Sequence, residues 1–191
     1  MKILKGDAGY IKKRKTQVTV KVLLEFAVVA GLMILGITQT GTRMNLLTVV
    51  AILGCLPAGK ALVELIMLLP HRTIASEKAE EIAEKTTLLT VSYDMIITST
   101  EKAMPVDALV ILDNTICGFA SNPRTNPEKV GKQIKEMLAS QRYDKVVVKI
   151  FSDYTAFITR AEGMQNMASV SRPETHKKEE AMRQLILQIS L

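Results

Sequence analysis

Tryptophan is absent, and aromatic residues make up only 4% of the 191-residue chain against 48% hydrophobic residues. An aliphatic excess with so few rings points to apolar surface that faces something other than water or an ordinary core. Cysteine is scarce too. Cys55 and Cys117 lie far apart in different segments, which suggests no disulfide framework and no metal spacing and favours two reduced, buried small hydrophobes. Histidine occurs only at His71 and His176, and neither has a second histidine or a cysteine at helical spacing. There is no Walker A loop, GxGxxG, HExxH, GxSxG or CxxC, and the glycines at 118, 131 and 163 are isolated. The expectation is therefore no catalytic residue, no cofactor and no metal. Cys117 and His176 become a nucleophile and base only if the fold brings them together; a buried strand cysteine is the simpler reading.

Charge is missing from two long runs. Residues 26–42 (FAVVAGLMILGITQTGT) and 44–59 (MNLLTVVAILGCLPAG) carry none, and Arg43 alone separates them. With their apolar flanks they reach the ~20 residues that span a bilayer. The expected spans are Val20–Thr38 and Leu46–Leu69, joined by the short polar link 39–45, which makes them antiparallel neighbours in a transmembrane helical hairpin. Basic residues near span ends mark the cytoplasmic side. Lys12, Lys13, Arg14 and Lys15 precede the first span with Lys21 just after them at its start, and Arg72 and Lys78 follow the second, so both termini are expected in the cytoplasm. The cluster Lys12, Lys13, Arg14 and Lys15 also suits an anionic lipid surface. A cleaved signal peptide and a buried soluble hairpin are the competing readings; no small-x-small cleavage site follows the first run.

The net charge of +6 lies wholly in this region: residues 1–70 hold nine Lys/Arg and three acids, whereas residues 71–191 hold sixteen of each. A neutral C-terminal part argues against a nucleic-acid-binding domain there, and no nucleic-acid partner is expected. Within the spans, beyond Lys21 at the start of the first, only Glu25, Lys60 and Glu64 are charged. Mirroring the chain about the link sets Glu25 near Lys60, and Lys60 and Glu64 share a helix face. The sharper expectation is a Glu25–Lys60–Glu64 polar cluster. The simpler one is a Lys60 that snorkels to the cytoplasmic boundary, because a 20-residue span starting near Asn45 ends near Glu64.

Beyond the hairpin the periods change. Residues 76–85 (SEKAEEIAEK) predict a charged helix, and residues 87–98 one or two strands. VDALVIL (106–112) and TICGFA (115–120) predict a strand pair turning at Asp113-Asn114. Asn126-Pro127-Glu128 predicts a helix start with Asn as cap and Pro at the first position, running to about Gln141. KVVVKIF (145–151) predicts a strand, expected to be central; 153–164 a short helix; 165–173 a loop; and 174–189 an amphipathic helix whose stripe is Met182, Leu185, Ile186 and Ile189. The expected organisation is a basic cytoplasmic N-terminus (1–19), the hairpin (20–70), a charged linker helix (71–86) and a mixed α/β or α+β cytosolic domain (87–191).

The run MPVDALVILDNTICGFASN, followed by a helix and KVVVKIF, resembles the nuclease-related domain of the restriction-endonuclease-like class. That resemblance implies an acid opening one strand, matched by Asp107, and an acid-x-lysine motif on the return strand. Gly118-Phe119-Ala120-Ser121 supplies neither acid nor lysine, so a shared fold would here be inactive. The whole chain also resembles small bacterial membrane proteins with an N-terminal hairpin and a cytosolic domain, which implies an architecture and no activity. The functional expectation is a membrane-anchored interaction or accessory protein whose partners are the lipid bilayer and another protein or further copies of itself. The alternatives are a divergent nuclease-like hydrolase, with Asp94, Glu101 and Asp107 as its acids, and a small oligomeric transport component.

Overall fold

A computed structural model describes residues 4–41, 46–98, 103–170 and 176–190. They form two compact units. One runs from Ile11 to Arg72; the other combines the residues before it with those from Thr73 onward. The hairpin is thus an insertion in one α/β domain, rather than an appendage ahead of it.

The hairpin consists of α1 (Tyr10–Thr40) and α2 (Leu46–Leu68), both long and apolar enough to cross a membrane. No Pro or Gly interrupts residues 10–30, so the basic cluster belongs to α1 itself instead of to a separate tail. At about 1.5 Å per residue the 31 residues of α1 reach ~46 Å, beyond the ~30 Å of a hydrocarbon layer, so its first turns extend past the apolar stretch. The helices meet along a seam of small residues on α2. Ala51, Ala58 and Ala61 are buried, and a Cβ on Gly54 would lie 3.1 Å from Val29 Cγ2. The spacing of three and four residues allows close backbone approach without a GxxxG motif. The outer faces stay open: Leu46 is 79% exposed, Leu56 72% and Leu23 66%. Cys55 is exposed on this apolar surface, which corrects the expectation that both cysteines are buried.

In the domain, α3 (Ser76–Lys85) leads into a four-stranded sheet of β1 (Thr90–Thr98), β2 (Ala103–Leu112), β3 (Thr115–Phe119) and β4 (Val147–Phe151). The strands lie in sequence order; β1–β2 and β2–β3 are antiparallel and β3–β4 parallel. Helices α4 (Pro127–Ser140) and α6 (His176–Ile189) pack on one face through Ile134, Leu138, Met182 and Ile186. Helices α3 and α5 (Tyr154–Val170) cover the other through Ile82, Phe157, Ala161 and Met164. This is a mixed α/β domain, and α3, expected as a linker, is one of its layers.

Two further expectations change. β4 is an edge strand, not a central one. Its apolar run reflects cover by α4 over Val148 and Ile150, while Val147 on the other side is 62% exposed. Helix α5 continues through residues 165–170, expected as loop, because Met164 and Ala168 extend the buried stripe of Phe157 and Ala161. The rest of that loop, 171–173, lies outside the described residues. By contrast, Asn126 caps α4 as expected: its Oδ1 accepts from the Glu128 and Lys129 amides at 2.9 and 3.2 Å. Replacing Asn126 with Ala is expected to cost about 1 kcal/mol of domain stability, measured by denaturant unfolding of the full chain in detergent.

The sheet also contains an inversion that periodicity does not announce. Tyr93 faces α3 and α5, yet Met95 and Ile97 face α4 and α6; Val106 and Ala108 divide the same way on β2. Register is constant through this point, with Tyr93 opposite Ala108 and Met95 opposite Val106. Both strands therefore turn over together at Asp94 and Asp107. Asp94 makes this possible with a left-handed backbone, φ 52°, which Asp tolerates better than most residues.

Candidate functional site

The parallel pair positions an open cleft. β3 leads to α4 on one face of the sheet, and β4 leads to α5 on the other. Where adjacent parallel strands feed helices on opposite faces, the chain parts and leaves a crevice beyond their carboxyl ends. Here it is an open cleft of about 1100 Å³, lined along β4 by Val148 to Phe151, along α4 by Gly131, Lys132 and Lys135, and at its end by Pro123–Glu128 and Ser152-Asp153. Arg124, Lys132, Lys135 and Lys149 line it against two acids, Glu128 and Asp153. Asp153 is already committed as the cap of α5, accepting from the Ala156 amide at 3.0 Å. Lys132 reaches Glu136 at 3.7 Å, and Lys149 lies 5.0 Å from the Phe151 ring centroid. The cleft is therefore basic in a domain with balanced charge, a local asymmetry that composition alone averages away.

Asp107, the acid singled out by the nuclease resemblance, accepts a hydrogen bond from the Ser121 amide at 2.5 Å. It ties the exit of β3 to β2, and the return strand leaves through Ala120, Ser121 and Asn122, with no charged side chain. Asp94 is buried elsewhere. Its Oδ2 accepts from the Gly9 amide at 2.9 Å and from the Thr73 hydroxyl, and its Oδ1 from the Ile74 amide at 2.9 Å. Glu101 lies outside the described residues. Among the described residues no group of three or more His, Cys, Asp or Glu side chains is arranged to hold a metal ion. Cys117 is buried on the α3/α5 side of the sheet, and burial pushes its thiol up despite Arg160; His176 begins α6 on the opposite face, so the two do not meet.

The hairpin arranges its charges differently from the mirrored reading. Arg14 grips Glu64 through Nε at 3.0 Å and Nη2 at 2.5 Å, and Lys21 lies 3.8 Å from Glu25. Among the described residues no ion pair joins Lys60 to Glu25 or Glu64, and Lys60 is exposed. Arg14 opposite Glu64 and Val29 opposite Gly54 set the register. Glu64 consequently meets the basic cluster, while Glu25 sits on the helix seam, where its Oε2 has no hydrogen-bond partner among the described residues. Lys15 donates to the carbonyl oxygens of Leu69 and His71 at 2.8 and 2.6 Å, satisfying groups at the end of α2. Burial, reinforced by Lys15, lowers the His71 pKa. Lys12 and Lys13 make no ion pair among the described residues.

The polar contacts of α3 and α6 were not legible in the sequence. Lys78 stands 4.7 Å from the Tyr154 ring centroid, and Tyr154 donates its hydroxyl to Glu81 at 2.6 Å. On α6, buried Glu179 accepts from the Thr90 hydroxyl at 3.0 Å and from the Asp113 amide at 2.7 Å, docking the helix start on the β2–β3 turn. These contacts hold the layers together and lie apart from the cleft lining.

The chain thus combines an apolar helical hairpin with an α/β domain that bears a basic cleft at its topological switch point. No known protein family matches it, and neither does any curated protein or solved structure.

Proposed function

We propose that this chain is an integral membrane protein whose hairpin holds the α/β domain at the cytoplasmic face, where the domain binds another protein and performs no chemistry of its own. The observation that carries this reading is the insertion of the hairpin into a single domain: the chain leaves it at Tyr10 and rejoins it at Thr73. Asp94 binds both Gly9 and the Thr73-Ile74 segment, so the folded domain holds the two ends of the hairpin together. The exposed leucines of α1 and α2 supply the membrane contact, and Lys12, Lys13, Arg14 and Lys15 favour a cytoplasmic start.

The hydrolase alternative finds little support, since Asp107 is engaged by the Ser121 amide and no acid or lysine follows it on β3. The transport alternative requires oligomers that turn Glu25 and Lys60 toward a shared interior, whereas Glu25 Oε2 is already buried within one chain. The orientation is tested with Cys55→Ala/Cys117→Ala as background and a single cysteine at position 45 or position 78. The expected result is resistance to alkaline carbonate extraction, with an impermeant maleimide labelling position 45 from outside and position 78 only after permeabilisation. Release by carbonate, or labelling of position 45 from the cytoplasmic side, overturns the reading.

A further inference from the structure

We propose that the basic cleft receives an extended acidic segment of another protein, which adds as a fifth strand to the open edge of β4. The inference rests on the reading of the domain as an interaction module and names the class of partner.

The edge is available by construction. Val147 donates its amide to Asn114 O at 2.8 Å, and Phe151 O accepts from the Ala120 amide at 2.9 Å, so residues 147, 149 and 151 point their backbone groups at β3. Alternation in a strand then directs the N–H and C=O groups of Val148 and Ile150 away from the sheet. Both residues line the cleft. Helix α4 packs beside this edge at Gly131, where a Cβ would meet Val148 O at 3.7 Å, and so forms one wall of the cleft.

An open edge invites pairing with any strand, and proteins guard against this with short, charged edges. β4 has five residues and carries Lys149. Together with Lys132, Lys135 and Arg124 this edge repels another basic strand, a second copy of β4 included, and attracts an acidic one. Backbone pairing supplies affinity and the lysines supply selectivity, the division seen in strand-addition recognition generally. A polyphosphate needs only the positive charge, whereas an acidic strand uses both the charge and the backbone groups of Val148 and Ile150.

The test uses the full chain in lipid nanodiscs and a fluorescent peptide of four Glu-Val repeats. Binding is read by anisotropy, and amide exchange is followed at Val148 and Ile150. The expected result is saturable binding that weakens with salt and slows exchange at both amides. The same peptide N-methylated at alternate residues should bind about tenfold more weakly, as two lost hydrogen bonds imply. A Lys132→Glu/Lys149→Glu variant, altered only at exposed positions, should also lose about tenfold. Three outcomes overturn the proposal: no binding of the Glu-Val peptide, equal binding of its N-methylated form, or preferential binding of a single-stranded oligonucleotide that displaces it. If peptide binding fails while position 45 still labels from outside, the cleft proposal falls and the membrane reading stands.

Discussion

Asp94→Ala is expected to destabilise the α/β domain by about 3–5 kcal/mol, enough to unfold a marginal domain. The side chain is buried and accepts from two backbone amides and a hydroxyl, drawn from Gly9 on one side of the hairpin insertion and Thr73 and Ile74 on the other. Removing the carboxylate leaves those donors with no partner, and each buried orphan costs about 1–3 kcal/mol. Alanine also tolerates the φ of 52° less well than aspartate. Asp94→Asn keeps an acceptor and the left-handed backbone, so a loss of about 1–2 kcal/mol is expected; its amide oxygen can serve only part of the set. Pulse proteolysis of the full chain across a urea series measures both variants. Amide exchange at Gly9 and Ile74 gives the local readout, accelerating in Asp94→Ala before global unfolding. If Asp94→Ala stays within 0.5 kcal/mol of the native protein, roughly the uncertainty of a neutral surface change, the two ends are not held by this carboxylate.

The same residue shows where the sequence was informative and where it was not. Most elements were legible because local rules determine them. Asn126-Pro127-Glu128 is a helix start by its own chemistry, Asp113-Asn114 a tight turn, and the two uncharged runs a helix pair. What failed was long-range. Asp94 is one acid in a β-rich run, and its partners lie 85 and about 20 positions away, across an entire inserted hairpin. Gly6 O, which accepts from the Tyr93 amide at 2.8 Å, is equally remote, so the N-terminal residues gave no sign of belonging to the domain. The placement of β4 erred for a related reason. An apolar KVVVKIF reads as central, but cover by one helix on one face produces nearly the same pattern at an edge. The basic cleft was hidden by its dispersal: Arg124, Lys132, Lys135 and Lys149 converge only because β3 and β4 send their helices to opposite faces. In the hairpin, a mirror drawn about the link matched Glu25 with Lys60. Side-chain packing sets the register instead, and it carries Glu64 to Arg14.

Phe157→Ala is expected to be comparably damaging, at about 3–5 kcal/mol, and its pattern of effects is as informative as its size. Phe157 is fully buried on α5, stacked against Phe119 of β3 with ring centroids 5.8 Å apart, in the same cluster as Ile82 of α3. Truncation opens a cavity between sheet and helices that the surrounding strands cannot collapse to fill. The consequence for α3 separates a domain layer from a linker. A ten-residue helix is marginal in water by itself, so its amides exchange slowly only if tertiary packing holds them. Residues 79–85 should therefore be protected in the native protein and lose protection in Phe157→Ala by the same factor as α5. A linker helix would exchange fast in both proteins and show no difference. Lys85 bridges Glu81 and Glu162 at 2.9 and 2.8 Å, and exposed pairs of this kind contribute little. A Lys85→Ala control should consequently leave α3 protected, which assigns the coupling to the apolar contact and not to the ion pairs above it.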